Sequence, residues 1–199
     1  MLSQRFHDAA KWAADLHAGQ TRKGTQIPYV SHLLAVTALV LEHGGDEEQA
    51  IAALLHDAVE DQGGLGTLVE IRERFGDRVA DIVDALSDAY GDANTPKPPW
   101  RQRKEAYLAA LPDHPPPALL VSAADKLHNA TTILRDLRTE GDAVWDRFNG
   151  GRDGTLWYYR ELVSAFEALG PATLAAELRI VVDAMTTHAK GDRGRQERR

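Results

Sequence analysis

The pair His56-Asp57, followed two residues later by Glu60-Asp61, gathers one imidazole and three carboxylates into the short stretch LLHDAVED. No Lys or Arg stands among them. Acids at the C-terminal end of a helix oppose its macrodipole, at about 0.3–1 kcal/mol each. A bound divalent cation reverses that cost. An imidazole nitrogen joined by carboxylate oxygens suits Mn, Fe or Zn better than Ca, which prefers oxygen alone. The competing reading is a solvated helix face. Two distant residues weigh toward the metal. His32 opens a helix directly after the Pro28-Tyr29 loop. Asp125 interrupts an otherwise apolar helical stretch, ALLVSAADKLHNATTIL, where a carboxylate needs a partner. That partner is either a cation or a salt-bridged Arg nearby.

The elements that hold these side chains read as helices throughout, with no sustained alternation of the strand type. A first helix is expected over 4–17, then a loop over 19–30 broken by Gly24 and Pro28. Ser31 caps a helix over 32–43, and Gly44-Gly45 ends it. Asp46, with Gln49 three residues on, has the spacing of a capping box. From there one helix is expected to run unbroken to Asp61. Its apolar stripe is Ile51, Leu54, Leu55, Ala58 and Val59, with His56, Asp57, Glu60 and Asp61 on the opposite arc. Thr67 and Glu70 repeat the capping-box spacing, and a helix follows Gly76 over 77–89. After a loop over 91–99, a helix resumes at Trp100; a long one follows over 118–137, then two more over 153–169 and 171–187. On the long helix Asp125, Asn129, Thr132 and Asp136 form a polar stripe beside Leu120, Ala124, Leu127, Thr131 and Leu134.

This pattern predicts an all-α, single-domain helical bundle over 1–187. The remainder, 188–199, carries five bases against two acids and is expected to be a disordered tail. Length and composition (199 residues, 43% hydrophobic, 27% charged) are those of one globular domain. A net charge of −7 argues against nucleic-acid or anionic-membrane partners. Zero Cys excludes disulfides, thiolate catalysis and Cys-based zinc sites. With neither a long apolar run nor an export signal, a cytoplasmic location is expected.

His32, His56-Asp57 and Asp125 together resemble the H…HD…D signature of the HD metal-dependent phosphohydrolases. The flanking stretches HAGQTRK (17–23), PYVSH (28–32), LLHDAVED (54–61), FGDRVA (75–80) and ADKLHN (124–129) are similar to the hydrolase domain of RelA/SpoT homologues, above all the free-standing small alarmone hydrolases. The resemblance implies one Mn²⁺ held by His32, His56, Asp57 and Asp125 in an HD-type bundle, with no room for a synthetase domain. It implies hydrolysis of ppGpp or pppGpp at the 3′ position, giving GDP or GTP plus pyrophosphate. Glu60 and Asp61 then orient the attacking water and handle protons. Arg22 and Lys23 contact the guanine base, while Asn129 and Thr132 touch ribose or base. Tyr29 either stacks on the nucleotide or fills core. Arg101, Arg103, Lys104, Arg135 and Arg138 are candidates for the 5′ phosphates, against the ordinary reading of solvated charge.

Two departures fall near the expected nucleotide site. Residues 24–27 read Gly-Thr-Gln-Ile, and Thr131 stands where long relatives often carry Arg. His7, His17, His43, His114, His128 and His188 are placed outside the site, and Trp12, Trp100, Trp145 and Trp157 are read as packing anchors. The alternatives are an HD phosphohydrolase of another phosphorylated nucleotide or cofactor, and a non-catalytic nucleotide sensor. The Glu60-Asp61 pair speaks against the sensor, because such acids repel a polyphosphate.

Overall fold

Ser3 starts the first helix, α1 (Gln4–Leu16), by accepting the Arg5 amide at 3.2 Å. The computed structural model describes residues 1–87 and 98–196, with side chains through residue 189. Among these the chain is helical, as expected, with one isolated bridge between Thr21 and Pro28. That bridge lies in the loop after α1, where the Tyr29 amide also donates to the Gln20 carbonyl. The loop therefore delivers the backbone already turned at Tyr29. The next helix, α2 (Val30–Glu42), starts there without a side-chain cap. Ser31 lies inside it and does not act as the expected cap.

Asp46 and Gln49 form the predicted reciprocal capping box at the head of α3 (Glu47–Leu55), with both bonds at 3.0 Å. Arg78 braces the Asp46 carboxylate at 2.7 Å. Partial burial opposes ionisation here, but the Gln49 amide and the Arg78 guanidinium together hold the carboxyl below its ordinary value. An Asp46→Ala variant should lose about 1 kcal/mol in urea denaturation at neutral pH. Since the folded-state value is depressed, that contribution is present above the ordinary Asp value of 3.8 and is lost as pH falls below it. The gap between wild type and variant should accordingly narrow on acidification.

The helix expected to continue to Asp61 instead breaks. α3 stops at Leu55 and α4 (Ala58–Gln62) begins afresh, with Asp57 at φ −97°, ψ −4° between them. The buried His56 ring is the local cause: its Nδ1 donates to the Ala53 carbonyl at 2.8 Å. An unbroken helix reserves that carbonyl for the Asp57 amide. Two glycines at positive φ, Gly63 and Gly64, then reverse the chain into α5 (Leu65–Phe75). A Cβ on Gly63 would sit 2.6 Å from Thr67 Oγ1. Thr67 is buried within α5 and donates to the Gln62 carbonyl at 3.3 Å, so the expected Thr67–Glu70 capping box does not form.

α6 (Asp77–Leu86) ends sooner than residue 89, because Ser87 is already extended. Most of the 91–99 loop lies outside the described residues. α7 (Trp100–Ala110) resumes at Trp100 as expected, and the Trp100 indole packs on the bare backbone of Gly150 and Gly154, where a Cβ would come within 2.6 and 3.2 Å of it. α8 (Pro116–Glu140) is the spine of the bundle. Pro116 suits its first turn, and Gly141 at φ 68° ends it, so that it starts two residues before and stops three after the expected limits. α9 (Gly151–Leu169) and α10 (Ala172–Gln196) complete the fold. α10 runs past residue 187, into the segment expected to be a disordered tail. Its continuation is anchored by the buried Ala189 and by His188 Nε2, which meets the Leu137 carbonyl at 3.0 Å.

α8 packs against α2, α3, α6, α9 and α10, so the core surrounds it. Leu33, Ile51, Leu54, Leu55, Leu137, Leu162 and Leu178 are fully buried there, each contributing about 1.5–3 kcal/mol of hydrophobic stabilisation. Among the described residues no helix is long and apolar enough to cross a membrane.

Candidate metal centre and its adjoining cavities

Three elements bring the four predicted ligands together. His32 comes from the first turn of α2, His56 and Asp57 from the break between α3 and α4, and Asp125 from the middle of α8. The ligand atoms of His32, His56 and Asp57 all lie within 4.8 Å of one another. Asp57 Oδ2 is 3.0 Å from His56 Nε2 and 3.7 Å from His32 Nε2. Asp125 Oδ1 faces the same point, 3.2 Å from His32 Nε2 and 3.8 Å from His56 Nε2.

Both Nε2 atoms are buried without a hydrogen-bond partner. His56 Nδ1 donates to Ala53, which leaves Nε2 as the nitrogen turned toward the centre. Burial disfavours charge on His56, yet the carboxylates of Asp57 and Asp125 outweigh it and push the ring up to about 9. The pocket thus draws positive charge. Two imidazole nitrogens and two carboxylate oxygens on one point form a donor set that fits a divalent transition ion.

Supporting contacts hold these side chains in place. The Tyr29 hydroxyl donates to Asp57 Oδ2, and burial and that carboxylate push the phenol far above its ordinary value. Its ring stacks on His17 at 5.1 Å and lies 5.5 Å from the Arg22 guanidinium. The partner of Asp125 is neither a metal alone nor an Arg. Lys126 Nζ sits 2.6 Å from Asp125 Oδ2 and over the Tyr107 ring. Despite burial, Lys126 and the two histidines keep the Asp125 carboxyl well below the carboxylate range. Asn129 donates to Asp125 Oδ1 and accepts from Arg22, both at 2.5 Å, which ties the 21–28 loop to α8.

His128, set outside the site by the sequence, is in it: its Nδ1 lies 2.7 Å from His32 Nδ1. Burial, helped by the charges of His32 and Arg22, pushes its ring down to about 4. The sequence did carry a signal for it. His128 is three residues beyond Asp125 and shares its helix face as surely as Asn129 does at four.

Two cavities lie beside the centre: the smaller opens on the ligands, and the larger, lined by none of the four, adjoins it. The larger, about 540 Å³, is lined by Arg22, Lys23, Tyr29, Asn129, Thr132 and Arg135, among others. The smaller, about 110 Å³, is lined by His56, Asp57, Glu60, Arg103 and Asp125. Lys104 and Lys126 line both. Asp61 turns the other way, accepting from Gln20 at 2.7 Å in a separate surface pocket. Arg101, a candidate for the 5′ phosphates, pairs with Glu105 at 2.7 Å, lies over the Trp157 ring, and lines neither cavity. Arg138 is exposed and also lines neither. Thr131 faces an apolar groove between α2, α8 and α10 rather than the larger cavity.

With its helical bundle and its cluster of histidines and aspartates, the chain belongs to the HD-domain family, whose model matches residues 9–156, and it is a metal-dependent phosphohydrolase. It is similar to the guanosine-3′,5′-bis(diphosphate) 3′-pyrophosphohydrolase MESH1 of Xenopus tropicalis, at 39% identity over 66% of this chain and 68% of that one. The human MESH1 is 37% identical over 65% of this chain and 68% of its own length. The bifunctional (p)ppGpp synthase/hydrolase SpoT of Escherichia coli K12 is 33% identical, but the match spans only 18% of that longer protein. Among solved structures, a metazoan orthologue of SpoT, described as hydrolysing ppGpp and acting in starvation responses, superposes with a TM-score of 0.71. It is 26% identical, over 91% of this chain and 95% of that one.

Proposed function

We propose that this chain is a cytoplasmic, Mn²⁺-dependent 3′-pyrophosphohydrolase of ppGpp and pppGpp, releasing GDP or GTP and pyrophosphate. The observation that carries this reading is the convergence of two unpartnered Nε2 atoms and two carboxylates at a small cavity of mixed charge that shares Lys104 and Lys126 with a nucleoside-sized one. The relatives that bear the name of this activity support the choice of substrate.

His32, His56, Asp57 and Asp125 would hold the ion, which when bound supplies Lewis acidity toward a phosphoryl oxygen and acidifies water. The guanosine occupies the larger cavity. There the Arg22–Asn129 pair and Lys23 flank the base, Thr132 reaches base or ribose, and Arg135 is left for the 5′ phosphates. The 3′-diphosphate points toward the smaller cavity. Arg103 and Lys104, expected at the 5′ phosphates, line the side next to the ligands and instead neutralise this diphosphate, the group transferred to water, together with Lys126. Water attacks the phosphorus bonded to O3′; the new P–O bond forms as the P–O3′ bond breaks. Glu60, in the same small cavity, takes the proton from water and returns one to O3′. Asp61, one residue on and held by Gln20, adds negative charge behind Tyr29 and steers that proton traffic from outside the small cavity.

Incubating the purified protein with Mn²⁺ and, separately, ppGpp, GTP or dGTP, then separating the nucleotides, tests the reading. GDP and pyrophosphate in equal amounts from ppGpp, with GTP and dGTP intact, is the expected result. Cleaved dGTP beside unchanged ppGpp would replace the substrate, and no turnover at all would leave a sensor.

A further inference from the structure

We propose that His128 is a positioning residue that fixes the tautomer of His32 and thereby sets how tightly the centre holds its ion. The inference rests on the reading of His32 as a ligand. The two Nδ1 atoms are 2.7 Å apart, with ring centroids at 4.9 Å and planes inclined by 37°. Two nitrogens at that distance share a single proton. His32 is fully buried, and its Nδ1 has its partner in His128.

The rest of the geometry decides who donates. His32 Nε2 points between Asp57 and Asp125 and serves as a ligand only with its lone pair free. The His32 proton must then be on Nδ1, making His128 Nδ1 the acceptor and placing the His128 proton on Nε2. The reverse assignment turns an N–H toward the two carboxylates and removes His32 from the donor set. Most metal-bound histidines are held this way by a carboxylate or a carbonyl, as His56 is by Ala53. A second imidazole in that role accepts one bond in the ring plane and adds no negative charge beside the ion. Its ring lines both the larger cavity and the apolar groove behind α8.

The test compares His128→Phe, which keeps a ring but has no acceptor, with His128→Asn, whose side-chain carbonyl can replace Nδ1. His32→Ala runs in parallel. Mn²⁺ affinity of the metal-stripped proteins, read by calorimetry, should fall about 10–100-fold for His128→Phe and stay close to wild type for His128→Asn. Wild-type affinity in His128→Phe, or equal losses in both variants, would overturn the proposal. Unchanged affinity in His32→Ala would instead overturn the ligand reading beneath it. Imidazole ¹⁵N spectra of the Zn²⁺-loaded wild-type protein give a check free of any folding defect. They should show His32 protonated at Nδ1 and His128 at Nε2, and the opposite pair would refute the assignment.

Discussion

Replacing Asp57 by alanine should abolish ion binding and turnover together. Asp57 Oδ2 is the oxygen nearest His56 Nε2, and the same atom accepts the Tyr29 hydroxyl. Its loss leaves two imidazoles facing one carboxylate whose charge Lys126 already offsets. A dication then meets half the negative charge, and the buried phenol loses its acceptor, a group that costs about 1–3 kcal/mol to leave unpaired. Calorimetry with Mn²⁺ and the nucleotide assay should both read zero. The melting temperature of the metal-free protein should move only modestly, because Asp57 sits in the turn between helices and not in the apolar core. Turnover at the wild-type rate would contradict the ligand role.

Glu60→Gln should separate the two functions. Glu60 lines the small cavity with His56, Asp57 and Asp125 but stands outside the cluster of ligand atoms. The amide keeps the shape and cannot take a proton. Ion affinity should therefore hold, while kcat falls about 10²–10⁴-fold, the usual yield of a positioned general acid–base group. A change confined to KM would assign Glu60 to substrate binding instead.

Much of the bundle was legible along the chain because its signals are local. The Asp46–Gln49 capping box, the double-glycine stops and the apolar stripe through Ile51, Leu54 and Leu55 each depend on a few adjacent residues. The break at His56–Asp57 was not legible. A helical wheel runs straight through it, since the cause is one buried ring bonding to a carbonyl three residues back. Asp125 stood out as a carboxylate in an apolar stretch, His56-Asp57 by the acids that follow without a base, and His32 by its place after the Pro28-Tyr29 loop. Lys126 carries no such signal because a base beside an acid reads as ordinary surface, whereas here Asp125 is buried and Lys126 largely so. Arg101 has Glu105 four residues on, the spacing of a solvated ion pair, and the two do pair. Arg103 and Lys104 follow in the same basic run but turn inward, a difference only packing decides.

The joint between α3 and α4 carries one further consequence. His56 closes one rod and Asp57 opens the next, so the spacing of two donors is a hinge dimension of the scaffold. Any lesion that tilts α4, even at the distant Gly63-Gly64 reversal, is felt first as looser grip on the ion, well before the bundle itself begins to melt.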